Sequence, residues 1–314
     1  MVKLCTVDLG FGWTKGKSNR QIYLQPSILG ETKPLFEESV KDDDIVFNDD
    51  FFVGKLALRQ SDVKYFSMND NKTETWISDI LLKTAIGSLC RMHECNLVTG
   101  LPVKYYFSQK DKMGKTLSLI NGGDIYKIKN GLSDMFFVKP KVCNFKIVPQ
   151  GLGIAIDYIF GEDGKMAKPE VAKKKILVID LGYYTLNLLG LDKMEIMKES
   201  NTLLLGVDSA YKLLQRYIQE YFGKSPSRYE LDPFVLSGEY EGTDITPLIN
   251  RAFRSLSLQI QNEIESLNIK FDYFLIGGGA ANKIESNISH PNKFILDQLS
   301  QIRGYEKIGV RQWK

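Results

Sequence analysis

Three glycine-bearing turns, each following an apolar run, are the residues of this chain best suited to chemistry. The first is Val7-Asp8-Leu9-Gly10-Phe11-Gly12-Trp13-Thr14-Lys15, and the second is Ile179-Asp180-Leu181-Gly182-Tyr183-Tyr184-Thr185. The third is Phe274-Leu275-Ile276-Gly277-Gly278-Gly279-Ala280-Ala281. Glycine without a Cβ tolerates positive φ and lets backbone N–H groups approach an oxyanion closely. Successive N–H groups in such a turn form a concave anion site, and a helix start after the third turn adds a favourable dipole. An aspartate at the carboxyl end of a strand, Asp8 or Asp180, suits a Mg²⁺ ion held through water, because Mg²⁺ keeps much of its hydration shell. Lys15 suits phosphate as a point cation. Singly, an Asp-x-Gly turn reads as a hairpin and a triple glycine as a close-packing turn. Two Asp-x-Gly strands, one in each half, plus a third glycine turn near the end form a rarer set. They point to duplicated halves facing each other across a nucleotide.

The elements that must position these turns follow from length and patterning. At 314 residues the chain is too long for one small core, so two domains are expected. Strand material runs from Lys3 to Asp8, Thr14 to Lys17 and Ile22 to Leu24, a hairpin-rich start. Residues 26–50 are polar and broken by Gly30 and Pro34, which predicts a loop-rich surface region. Ile77, Ile80, Leu81, Ala85 and Leu89 recur at helical spacing. A helix-like segment spans 151–159, and the polar stretch through Lys173-Lys174-Lys175 precedes the apolar strand Ile176 to Asp180, placing the domain boundary near 150–175. Beyond it, helices over 209–222 and 246–267 and a strand over 271–276 read as α/β.

Composition excludes several classes. The 43% hydrophobic and 25% charged residues are those of an ordinary globular protein. A net charge of +3 is too weak to argue for nucleic acid as a direct partner. No stretch approaches the roughly 20 apolar residues of a membrane span, and the start reads as a strand rather than a leader. Cys5, Cys90, Cys95 and Cys143 show no disulfide framework, so a reduced, cytoplasmic protein is expected. Cys90-Arg-Met-His-Glu-Cys95 matches no standard zinc spacing and reads as core.

At these residues the chain resembles the actin, Hsp70 and sugar-kinase superfamily. Asp8-x-Gly10-x-Gly12-x-x-Lys15 is similar to its first phosphate loop, Asp180-x-Gly182-x-x-Thr185 to its second, and Gly277-Gly278-Gly279 to its adenosine loop. Pro149-Gln150-Gly151 sits where the first interdomain helix of the family begins, and Gln150 matches the residue that orients the attacking water in actins. Phe51-Phe-Val-Gly54, Thr99-Gly-Leu-Pro-Val103 and Gln301-Ile-Arg-Gly-Tyr305 are similar to ParM-type and archaeal actin-like proteins. Two departures stand out. ParM-type proteins often carry Gly-Gly-Thr-Thr where this chain has Gly182-Tyr-Tyr-Thr185, and an aspartate common two residues later is Asn187 here.

The resemblance implies an α/β, actin-like (duplicated ribonuclease H-like) fold of two domains with a nucleotide cleft between them. Domain I is expected over 1–155, with a C-terminal helix over about 292–314 packing back on it, and domain II over 156–291. ATP (or GTP) with Mg²⁺ would be bound by Asp8, Gly10, Gly12, Thr14, Lys15, Gly182, Thr185, Gly277, Gly278 and Gly279. Asp8 and Asp180 would hold the metal through water, and Gln150 and Asp180 would act on the attacking water. Hydrolysis would be coupled to head-to-tail filaments, with a DNA-binding adaptor as partner for plasmid segregation and no membrane. Two rivals stay open. One is a small-molecule kinase of the same fold, which needs a carboxylate base, with only Asp157 well along the helix after Gln150. The other is a non-hydrolysing ATP-binding scaffold.

Overall fold

The computed structural model describes residues 2–66, 75–120, 123–132 and 134–313, so Met1 and Lys314, the ends of the expected domain spans, lie outside the described residues. The chain divides into two compact units, residues 1–168 with 299–314, and residues 169–298.

The first unit contains β1 (Lys3–Leu9), β2 (Trp13–Ser18), β3 (Gln21–Pro26), β4 (Ile28–Glu31), β5 (Ile45–Phe47), β6 (Phe51–Val53), α1 (Lys55–Gln60), β7 (Lys64–Phe66), α2 (Trp76–Cys90), β8 (Glu94–Leu101), α3 (Tyr106–Ile120), β9 (Tyr126–Asn130), β10 (Asp134–Val138), β11 (Lys141–Pro149) and α4 (Leu152–Ile159). One sheet has the order β11-β8-β1-β2-β3, with β1, β8 and β11 parallel and β1-β2-β3 antiparallel. A second has the order β10-β9-β5-β6-β4-β7. Residues 26–50 are therefore not the loop expected: β4 and β5 lie within them and pair in this second sheet. Short apolar runs such as Ile28-Leu29 and Ile45-Val46-Phe47 supply the buried positions that the glycine and proline punctuation obscured. Helix α2 starts on Thr75, whose hydroxyl accepts from the Ser78 N–H at 3.2 Å, and buries Leu81, Leu82, Ala85, Ile86 and Leu89. It packs on β1 and β2 and thereby fixes the strands that carry the first turn. Cys5, Cys90 and Cys95 are buried free thiols in this core.

The C-terminal helix Ser300–Trp313 belongs to the same unit and crosses α4 at two glycines. A Cβ on Gly304 would stand 1.8 Å from the Gly153 carbonyl oxygen, so only glycine permits this approach.

The second unit contains α5 (Pro169–Ala172), β12 (Lys175–Leu181), β13 (Leu186–Asp192), β14 (Glu195–Ile196), β15 (Asn201–Leu203), α6 (Val207–Phe222), α7 (Asp232–Ser237), β16 (Glu239–Tyr240), β17 (Thr243–Asp244), α8 (Thr246–Ser266), β18 (Tyr273–Gly277), α9 (Ala281–Ile284) and β19 (Lys293–Ile295). Its sheet runs β14-β13-β12-β18-β19, with β15 also on β13, and β12, β18 and β19 are parallel while β12-β13 is antiparallel. This is the strand order and direction of the first sheet, with β12 for β1, β13 for β2, β18 for β8 and β19 for β11. Helices α6 and α8 cover it and close a separate core around Leu177, Ile179, Leu214, Phe253 and Ile276. The fold is mixed α/β and actin-like, built from a repeated half.

Candidate functional site

The first turn is set by its own backbone. The Gly10 N–H donates to the Trp13 carbonyl at 3.1 Å, and a Cβ on Gly10 would meet that oxygen at 2.5 Å. The hairpin register places Asp8 opposite Lys15. Asp8, 5% exposed, lies 3.5 Å from the Lys15 ammonium through one oxygen and accepts from the Gln150 side-chain amide at 2.8 Å through the other. A buried carboxylate requires such compensation, since an unpaired one costs several kcal/mol.

Gln150 is held in turn. Its backbone N–H donates to Leu101 at the end of β8 (2.7 Å), and Gly151 follows at φ 89° as the cap of α4. The Gln301 side-chain oxygen accepts from Gly151 and Ile154 N–H at 3.2 and 3.3 Å, and its amide donates to the Tyr305 hydroxyl at 2.7 Å. That hydroxyl occupies the space left by the missing Cβ of Gly100. The C-terminal helix thus caps α4 and fixes the position of Gln150.

Thr14 faces away from this constellation. It is fully buried, and its hydroxyl is 2.9 Å from that of Ser27, which donates to the Gly10 carbonyl at 2.7 Å. The Ser27 N–H donates to Gly12 at 2.8 Å, so these two residues brace the turn from behind.

The second turn repeats the first. Gly182 N–H donates to the Thr185 carbonyl at 2.9 Å, and the register sets Asp180 opposite Asn187. On its other side Asp180 is paired in register with Gly277 of the third turn. The Asn187 amide donates to Asp180 at 3.1 Å and its carbonyl oxygen accepts from the Thr202 hydroxyl at 2.7 Å, both residues being buried while Asp180 is half-buried. Val207 and Asp208 N–H groups, at the start of α6, donate to the Gly182 and Tyr183 carbonyls at 3.1 and 2.8 Å. Asp208 is locked by Arg228 at 2.5 and 2.7 Å.

The tyrosines of this turn do not crowd it as a pair. Tyr183 points into the core, stacked on Tyr229 at 6.0 Å and edge-on to Tyr211 at 5.9 Å. Burial pushes the Tyr183 and Tyr229 hydroxyls above the ordinary phenol range, so both stay neutral.

In the third turn Gly278 has φ +106°, and a Cβ there would stand 2.1 Å from the Leu181 carbonyl oxygen. Its backbone is packed on the strand end that carries Asp180. The helix expected after this turn is the single turn α9, too short to carry an appreciable dipole. The reason is local: Ile284 is already buried, and the chain continues as a short 3₁₀ segment, Glu285–Asn287.

Of the residues singled out from sequence, Asp8, Lys15 and Gln150 are brought together in one unit, and Asp180, Gly182, Thr185, Gly277 and Gly278 in the other. Thr202 is a further member that the sequence does not point to, and Asn187, Gln301 and Tyr305, noted from sequence as a departure and as a family-like run, have no place at the site from sequence alone. Asn187 was findable, since it follows Asp180 by the same interval as Lys15 follows Asp8. Among the described residues no three His, Cys, Asp or Glu side chains are grouped to hold a metal ion, and no helix is long and apolar enough to cross a membrane.

A family model for actin-like proteins, N-terminal domain, matches residues 6–153. Over those residues the chain matches the actin-like N-terminal domain, and its fold is actin-like. Solved structures agree in fold over the whole length. A 15-stranded ParM filament protein from Clostridium botulinum is 21% identical, with 99% of each chain covered and a TM-score of 0.80. An archaeal actin homologue is 17% identical, with 99% of this chain and 100% of the other covered and a TM-score of 0.78. A Bacillus thuringiensis ParM with ATP is 12% identical, with 99% of each covered and a TM-score of 0.72. Comparison with curated proteins by sequence finds no match.

Proposed function

We propose that this actin-like chain is an ATPase that assembles head-to-tail into nucleotide-gated filaments, in the manner of the ParM-type proteins, for the segregation of plasmid DNA through a DNA-binding adaptor. The observation that carries the reading is the repeated Asp-x-Gly turn, in equivalent register on the first hairpin of each unit. A second support is that similar structures include a ParM filament and a ParM with ATP.

The residues fit the ligand. Gly10, Gly182 and Gly278 keep three strand ends free of side chains, Lys15 supplies a cation, and Asp8 and Asp180 supply the hard oxygens that suit Mg²⁺ held largely by phosphate and water. Mg²⁺ on the phosphates supplies charge neutralisation. The first turn with Lys15 would receive phosphate oxygens, and the second turn offers the same backbone device in its own unit. Asp180 is half-buried and accepts from the Asn187 amide, and in this reading it would accept a hydrogen bond from the attacking water. Gln150, a neutral amide, orients that water and takes no proton. Its amide donates to Asp8 at 2.8 Å, and orienting a water would require that it leave this carboxylate.

The carboxylate that a kinase would need is already occupied. Asp157 is held by Arg303 at 2.8 Å and Lys307 at 2.8 Å, so it serves to tie the C-terminal helix to α4.

The test is light scattering with parallel phosphate release on purified protein with Mg²⁺ and ATP, repeated with GTP. Scattering that rises above a threshold protein concentration and decays as phosphate appears is the expected result. Phosphate release without scattering at any concentration would sink the filament assignment.

A further inference from the structure

The charges of the first unit are sorted in a way that its core does not require. Residues 101–150 carry nine lysines against three aspartates, whereas residues 31–50 carry eight acidic residues against two lysines. Each band also exposes apolar surface. Between α3 and the sheet-edge strand β11 lies an open groove of about 830 Å³. Its floor is Phe145, 38% exposed, whose ring lies against the α3 backbone at Gly114, where a Cβ would stand 3.5 Å from it. Tyr106 and the 77% exposed Leu119 flank it. Lys110 and Lys115 are exposed on its wall beside one acid, Asp111, and Lys146 is held at its edge by Gln312 at 3.0 Å.

The acidic band presents the opposite shape. Phe36 is 81% exposed and opens a single 3₁₀ turn, Glu37–Ser39, whose two glutamates are exposed. This knob is held in place: Arg59 donates to the Ser39 carbonyl at 3.2 Å and to the Asp44 carboxylate at 2.5 Å, and Asp44 also accepts from the Lys41 N–H at 2.8 Å. A bulky aromatic kept in water on a braced turn, flanked by two carboxylates, is the complement of an apolar groove rimmed by lysines.

We infer that the groove between α3 and β11 receives the Phe36–Ser39 knob of a second copy of this chain, with Phe36 over Phe145 and Leu119 and with Glu37 and Glu38 against Lys110 and Lys115. The two patches differ, so the contact is heterologous and extends without closing on itself. It rests on the filament reading above and supplies one of its interfaces. Opposed charge sets the register and speeds encounter, and salt weakens it.

Charge exchange tests this directly. Glu37→Lys/Glu38→Lys in one protein and Lys110→Glu/Lys115→Glu in another should each raise the threshold concentration for ATP-dependent scattering by about tenfold or more. Mixing the two should restore it, because each reversed knob then meets a reversed groove. All four side chains are exposed, so folding is not at stake. Variants that assemble like the unaltered chain overturn the contact and leave the filament reading standing. Should the unaltered chain fail to assemble, that reading falls, and cross-linking decides the contact separately. In a Cys143→Ser background, which removes the half-exposed thiol, Phe36→Cys with Leu119→Cys is oxidised at high concentration. A ladder of many chains supports the contact, and dimers no more abundant than with either cysteine alone overturn it.

Discussion

The two Asp-x-Gly turns have the same backbone and different surroundings. In the first unit Asp8 is buried between a cation and an amide, Lys15 and Gln150. In the second, Asp180 is half-buried and touched by the neutral Asn187, itself anchored on Thr202. Duplication preserved the device that forms the turn, and the residue opposite the aspartate set its electrostatics. A buried carboxylate beside an ammonium is committed to charge balance, whereas a half-buried one whose neighbour across the hairpin is a neutral amide carries no such counter-charge from that position. The proposed division of labour follows: Asp8 and Lys15 organise charge, and Asp180 meets the attacking water.

The comparison breaks most visibly at Asp180. Asp180→Ala is expected to lower phosphate release by about a thousandfold while costing about 1 kcal/mol of stability, because the side chain is half-buried and the Asn187 amide that donates to it is neutral. A single-turnover assay beside a thermal melt reads both, and near-normal turnover would remove Asp180 from the chemistry. Asp8→Ala should do the reverse in stability. It removes the counter-charge of the Lys15 ammonium and one acceptor of the Gln150 amide, for a loss of about 3 kcal/mol, measured by urea unfolding. A loss no greater than that of Asp180→Ala would erase the contrast between the turns. Gln150→Ala is expected to slow phosphate release about tenfold while filaments form and persist. Unchanged release would show that Gln150 serves only as the partner of Asp8. The smallest effect belongs to Tyr183→Phe. The buried hydroxyl has no hydrogen-bond partner among the described residues, so its removal should leave stability unchanged or raise it by up to about 1 kcal/mol. A clear fall in melting temperature would mean that the hydroxyl is engaged.

The same contrast marks how far the sequence reached. Both turns were legible, because a strand ending in Asp-x-Gly uses a local requirement, the absence of a Cβ at the bend. The fold followed from finding that pattern twice with a third glycine turn, although no repeat was visible in the residues between. Strand order is repeated while the side chains that fill each core are not, since a core needs volume and apolarity rather than particular residues. Residues 26–50 were misread because β4 and β5 are too short for periodicity to declare itself against nearby Gly30, Pro34 and three consecutive aspartates.

What the sequence by itself determined is the set of bends: where the chain turns after Asp8, Asp180 and Gly277, and which residue types stand there. Tertiary structure alone decided where the side chains point and which ones meet. It turned Thr14 inward to Ser27, sent Tyr183 into the aromatic core beside Tyr229, and tied Gln150 to Asp8 across 142 residues of chain. A bend is fixed by φ and by the room around one Cα, which a few neighbouring residues control. A contact between distant side chains depends on strand order and register, which only the packing of the whole sheet sets.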